Sequence, residues 1–157
     1  MDAEEHAARR AAITADLRRK TGIDDAMIET LVHGFYDRVR ADAVLGPVFA
    51  GKITDWGPHL KQMCAFWSSV ALLTGVYHGR PMQKHVTLPI DGAHFDRWLE
   101  LFRGAAQDLC PPAAAAHFIE RAEQIAQSLE GGVATVAGKP LRRGERYRDP
   151  ALHRTDD

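Results

Sequence analysis

Apolar side chains recur along this chain at the spacing of buried helix faces, and no segment shows the convincing period-two alternation of a half-buried strand. The spacing predicts four strong helices. The first opens at Asp24, a good N-cap, with Ile23 and Ile28 placed as a hydrophobic staple. Its stripe is Met27, Ile28, Leu31, Val32, Phe35, Tyr36 and Val39, and Leu45-Gly46-Pro47 ends the region. The second is capped by Thr54 or Asp55 and tolerates Pro58 in its first turn. It carries two adjoining lines, Trp56-Leu60-Met63-Trp67-Val70 and His59-Met63-Phe66-Val70. So wide an apolar face must be covered on both flanks. That helix stops near Thr74-Gly75. The third runs from Asp91-Gly92 through Phe95, Trp98, Leu99, Phe102 and Leu109 to Pro111-Pro112. The fourth runs from Pro112 through Phe118, Ala122, Ile125, Ala126 and Leu129 to Gly131-Gly132. The fold class is all-α.

The two ends read differently from the middle. Residues 1–21 form an arm with only Ile13 and Leu17 on an apolar face, a weak helix broken at Thr21-Gly22. Residues 132–157 hold Lys139, Arg142, Arg143, Arg146, Arg148 and Arg154 among Gly, Pro and acids, and predict a disordered basic tail. The folded domain is expected over residues 22–131.

Between the second and third helices lies a broken stretch, Tyr77 to Ile90. Gly79 and Pro81 interrupt the preceding helix, Pro89 precedes the next, and one short turn presents His85. A histidine held in this way suits a fixed ligand to a group larger than water, and haem iron is the candidate. Haem needs an axial ligand on one side, an apolar slot for the macrocycle, and a small cavity on the other side. Met63, Phe66, Val70, Phe95, Phe102 and Ile125 are candidates for the slot. Tyr36, His59 and Trp98 are candidates to offer polar hydrogens to an iron ligand. Each has a plainer reading. A histidine near a helix end is commonly structural, Tyr36 on a buried stripe is commonly bonded to a backbone carbonyl, and tryptophan commonly packs. His94 competes with His85, although an N-terminal helix position commonly faces solvent.

Composition narrows the field. The 157 residues suit one domain, and 20 Lys+Arg nearly balance 21 Asp+Glu, which points to neither nucleic acid nor an anionic membrane. No apolar run is long enough to span a bilayer, and the charged N-terminus lacks the apolar middle of a signal peptide. Two distant cysteines, Cys64 and Cys110, form no Cys-x-x-Cys pair, so a reducing cytoplasm fits. Of the eight histidines, His6, His33, His78, His117 and His153 are expected at the surface.

These residues together resemble a known family. Phe35-Tyr36-Asp37-Arg38-Val39-Arg40, Leu45-Gly46-Pro47-Val48-Phe49, Trp56-x-x-His59, Phe66-Trp67, Gly79-Arg80-Pro81-Met82-x-Lys84-His85 and His94-Phe95-x-x-Trp98-Leu99-x-Leu101-Phe102 are similar to the third group of truncated haemoglobins. The likeness runs from about Gly22 to Gly131. It implies a two-over-two helical sandwich around haem b, with His85 as proximal ligand. It carries Tyr36, Trp98 and His59 to the distal side, and Met63 to the distal wall.

The resulting expectation is a monomeric or weakly dimeric haem protein that binds O2, or another diatomic ligand such as NO or CO, at ferrous iron. Two distal donors argue against bulk oxygen transport and for NO, oxygen or peroxide chemistry. Any NO dioxygenase or peroxidase-like turnover needs an external reductase, since this chain shows no Rossmann glycine fingerprint. Two other classes compete. One is a cofactor-free helical interaction module. The other is a non-haem metal or hydrolytic enzyme, which lacks its usual His-x-x-x-His or Glu-x-x-His pair among the core helices.

Overall fold

Asp24 caps the first core helix as its side chain predicts, accepting the Met27 backbone N–H at 2.8 Å. The computed structural model describes residues 2–153, so Met1 and residues 154–157, with the tail residue Arg154, lie outside the described residues. Among the described residues every regular element is helical. The order is α1 (Ala3–Thr21), α2 (Asp25–Ala41), α3 (Leu45–Ala50), α4 (Trp56–Leu72), α5 (Pro81–His85), α6 (Gly92–Leu109) and α7 (Pro112–Val136), then a 3-10 turn at Pro150–His153.

Helix α2 packs on α4 and α6, α6 packs on α7, and α4 reaches α7, which gives a two-over-two sandwich. Aromatic rings fill its centre. Trp67 and Phe102 stack at 4.8 Å, Trp98 and Phe102 at 5.4 Å, and the edge of Phe35 meets Phe102 at 5.2 Å. Each such ring stabilises the fold by about 1.5–3 kcal/mol through burial. No residue of α1 is buried; Leu17 packs on the core, and the Thr14 hydroxyl donates to the Leu72 carbonyl at 2.6 Å.

Four expectations need correction. Leu45-Gly46-Pro47 starts the short helix α3 rather than ending a region. The buried Asp42 carboxylate accepts the Val44 and Leu45 N–H groups, and Pro47 in the first turn loses no helical bond. Arg97 from α6 pairs with Asp42 at 2.6 Å; this guanidinium, helped by the two backbone N–H groups, outweighs burial and holds the carboxyl below its ordinary value.

Helix α7 does not stop at Gly131-Gly132 but continues to Val136. Gly132 is a place of close approach: a side chain there would collide with the sulfur of Met82 on α5. The glycine thus lets the His85-bearing helix rest on α7.

The tail departs from expectation most. The described part of residues 137–153 folds back over α6 and α7 instead of being disordered. Tyr147 is buried with Ile90, Phe95, Ala126, Val133 and Ala134, and Leu141 packs against the same cluster. Arg146 is not merely solvated. It donates to Glu130 at 2.9–3.1 Å, to Asp96 at 2.7 Å and to the Gly92 carbonyl at 3.1 Å. Glu130, only 5% exposed, explains this, because a buried carboxylate needs a cation. Of the histidines expected at the surface, His117 is half-buried and bonds the Ala71 carbonyl at 2.8 Å.

Candidate functional site

Where α2, α3, α4, α6 and α7 diverge, they leave a cavity of about 300 Å³, closed on one side by α5. Its wall is largely apolar. Met63 and Phe66 come from α4, Phe95 and Trp98 from α6, and Ile125 from α7. The polar groups in the wall are Tyr36, Lys52, His59, Gln62, Trp67, Tyr77, Lys84, His85, His94 and Trp98, and no carboxylate is among them. A flat apolar guest with negatively charged edges suits such a lining.

Two histidines of the wall differ in tautomer, and the difference follows from their partners. His85 Nδ1 lies 2.6 Å from the Pro81 carbonyl oxygen, one turn earlier in α5. A carbonyl can only accept, so Nδ1 carries a proton and Nε2 of the neutral ring keeps its lone pair. His94 is the reverse. As the third residue of α6 it completes a capping box, its Nδ1 accepting the Asp91 backbone N–H at 3.1 Å. That N–H can only donate, so Nδ1 is bare and Nε2 holds the proton. The 3.3 Å approach of His94 Nδ1 to Asp91 Oδ1 is the weaker contact, since Oδ1 already accepts from Ala93 N–H at 3.0 Å. Nε2 of His94 therefore cannot ligate a metal while the cap stands. His85 Nε2 can.

Tyr36 and His59 sit edge to face, their rings 5.3 Å apart, and Phe35 links Tyr36 (5.0 Å) to Trp98 (5.5 Å). Tyr36 is 6% exposed and lines the cavity. Burial pushes the pKa of its hydroxyl well above the ordinary tyrosine value, so it stays a donor. His59 Nε2 is buried and unpartnered among the described residues. Burial first, then the nearby Lys84 ammonium, lower the pKa of its imidazole, so the ring is neutral at pH 7. Nearly all buried polar atoms in folded proteins are paired. The unpaired His59 Nε2 in the cavity wall marks the place of a polar guest.

Most expected residues meet here. Tyr36, His59, Met63, Phe66, His85, Phe95, Trp98 and Ile125 all line the cavity. Val70 and Phe102 do not. Each lies one turn beyond a residue that takes the wall, Phe66 and Trp98 respectively, and both pack into the central core instead. The sequence reading missed Val48, Phe49, Lys52 and Ile53, which belong to or follow α3, and Tyr77, Leu88, Ile90 and Leu129. The apolar pair Val48-Phe49 was visible, but without α3 it had no face. Cys64, beside Met63, stays out of the wall, and burial raises its thiol pKa.

The profile of the bacterial-like globins matches residues 19–130, well over half of the chain. The chain belongs to the bacterial-like globin family. Over 121 residues this globin is 31% identical to the group 3 truncated hemoglobin ctb of Campylobacter jejuni, covering 74% of its own length and 95% of that protein. It is 29% identical to the group 2 truncated hemoglobin YjbI of Bacillus subtilis over 85 residues, 53% of this chain and 64% of that one. The crystal structure of a group III truncated hemoglobin from Campylobacter jejuni superposes with a TM-score of 0.65 at 32% identity, covering 69% of this chain and 89% of that chain. The globin family implies haem and a diatomic ligand. The cavity described above is consistent with both, since it combines an apolar slot, the bare Nε2 of His85 and the unpaired Nε2 of His59. The alternative of protein side chains alone holding a metal finds no support: among the described residues no three His, Cys, Asp or Glu gather closely enough. No helix among them is long and apolar enough to cross a membrane.

Proposed function

We propose that this globin binds haem b through His85 Nε2 and takes O2, NO or a similar diatomic ligand beside Tyr36, His59 and Trp98. The observation that carries the reading is the bond from His85 Nδ1–H to the Pro81 carbonyl. It is the outer-shell contact that fixes the tautomer and orientation of metal-ligating histidines. When bound, haem supplies the iron at which a diatomic ligand is taken up. Met63, Phe66, Phe95 and Ile125 would hold its faces, and Lys52 and Lys84 would answer its carboxylates.

The chain's own donors then set the ligand chemistry. The Tyr36 hydroxyl and the Trp98 indole N–H both donate, and each would stabilise a partly negative ligand by about 1.5–3 kcal/mol if charge-assisted. Since about 1.4 kcal/mol is tenfold, two such bonds slow ligand release by orders of magnitude. Slow release argues against bulk delivery and favours ligand capture, NO oxidation or peroxide chemistry, with electrons from an external reductase. The burial of His59 Nε2 favours a donor or iron-ligand role for that ring over a solvent gate. The unpaired His59 Nε2 also counts against a cofactor-free interaction module, in which the ring would be ordinary packing.

Absorption spectra of the ferric and ferrous protein, after expression with haem supply, test the reading. Expected are haem bands with five-coordinate ferrous iron. A colourless protein would sink it.

A further inference from the structure

His94 is a rigid polar donor of the cavity that the ligand chemistry leaves unused. Its side chain is 16% exposed, lines the cavity, and has no Nε2 partner among the described residues. The tautomer is held from behind. Asp91, the N-cap of α6, is 1% exposed, and its Oδ2 accepts the Asp149 N–H at 3.0 Å and His153 Nε2 at 2.6 Å. The neighbouring Gly92 N–H donates to the Tyr147 carbonyl at 2.8 Å. Residues 147–153 thus clamp the cap that orients His94, and they lie beyond the residues 19–130 that match the family profile.

We infer that His94 is a binding residue of the pocket, a neutral Nε2–H donor to a carboxylate of the bound porphyrin, with Asp91 and the C-terminal strap as the positioning elements that fix its tautomer. The inference rests on the haem reading. Three features support it. The proton is forced onto Nε2 by the Asp91 N–H, the wall has no carboxylate to take it, and a dianionic edge is the complement of a wall whose charged groups are Lys52 and Lys84. Unlike those lysines, His94 is held in one orientation before any guest arrives, so little rotamer entropy is lost on binding.

Two substitutions separate the donor from the cap. Glu and Gln are both favoured at the third helical position, where their side-chain oxygen accepts the N-cap N–H. His94→Gln keeps an N–H donor beyond that oxygen; His94→Glu keeps the cap and loses the donor. Haem loss from the holoprotein to an excess of a haem-scavenging apoprotein is measured for all three chains. The Gln variant should stay close to wild type, and the Glu variant should lose haem roughly ten- to a hundredfold faster. A Glu variant as slow as wild type, or a Gln variant as fast as Glu, would overturn the donor role. Nitrogen-15 NMR of the apoprotein imidazoles should place the His94 proton on Nε2; a proton on Nδ1 would overturn the fixed tautomer. If the wild-type chain takes up no haem, the function proposed above fails with it. If it takes up haem and only the His94 outcomes fail, that function stands and this inference does not.

Discussion

Replacing Tyr36 with Phe removes one oxygen atom and keeps almost everything else. The ring contacts with Phe35 (5.0 Å), Phe49 (5.9 Å), Trp56 (5.8 Å) and His59 (5.3 Å) belong to the aromatic face and edge, which Phe supplies equally. The substitution therefore distinguishes two roles for the hydroxyl. A core hydroxyl bonded to the backbone would cost about 0.5–1.5 kcal/mol of stability on removal. An unpaired hydroxyl held for a ligand would cost none. In the holoprotein the same substitution would delete a bond worth about 1.5–3 kcal/mol to a charged ligand, which speeds O2 dissociation about 10- to 150-fold. Stopped-flow displacement of O2 by CO reads the rate, and denaturant unfolding of the apoprotein reads the stability. The expected pair of results is unchanged stability with a faster rate. An unchanged rate, or a stability loss of about 1 kcal/mol, would refute the distal assignment.

His85→Gly should abolish the five-coordinate ferrous spectrum, and added imidazole should restore it; a variant that binds haem with an unchanged spectrum would show the ligand to be another residue. Gly132→Ala places a methyl group against Met82 and should cost about 1–3 kcal/mol while shifting the ferrous spectrum through α5, with Met82→Ala in the same chain relieving both effects. Arg146→Met leaves Glu130 buried without its cation. Because Arg146 is about half exposed, the loss expected in denaturant unfolding is about 1–3 kcal/mol, below the cost for a fully buried pair, and Glu130→Gln should recover part of it. The carboxyls of Asp42 and Asp91 are both held below 3.8, Asp42 by Arg97 and Asp91 by hydrogen bonds from the Asp149 N–H, His153 and the Ala93 N–H that overcome its burial. As the pH falls through 3.8 the unfolded chain takes up protons that the folded one does not. Their stabilisation is thus present above about pH 4 and lost below it, and a flat stability profile from about pH 5 to 3 would contradict this.

The helices were visible in the sequence because their signals are local. Asp24, Asp91 and Pro112 mark starts, and the stripes through Phe35, Trp67, Phe102 and Phe118 repeat every three or four residues. What was missed depends on residues far apart in the chain. Pro47 looks like a terminator until the Asp42 carboxylate is seen to accept the Val44 and Leu45 N–H groups and Arg97, 55 residues on, to neutralise Asp42. Gly132 looks like a helix end until Met82 is found lying on it. The tail has little apolar content of its own, yet Tyr147 and Leu141 suffice because Ile90, Phe95 and Val133 were already left uncovered by α6 and α7.

The site divides in the same way. Residue types at helical spacing brought Tyr36, His59, Met63, Phe66, Phe95 and Trp98 to one cavity, since a face shared by i, i+3 and i+4 positions survives folding. The same rule carried too far placed Val70 and Phe102 there, because periodicity says which face a residue occupies and not how far along the helix the cavity extends. The choice between His85 and His94 is of another kind. Both are histidines near helix starts or ends, nine residues apart, and spacing ranks them only weakly. One nitrogen faces a carbonyl and the other a backbone N–H, so one ring is left with a lone pair to give and the other with a proton. That distinction lies in two hydrogen bonds, from which ligand and donor roles can be assigned to chemically identical side chains.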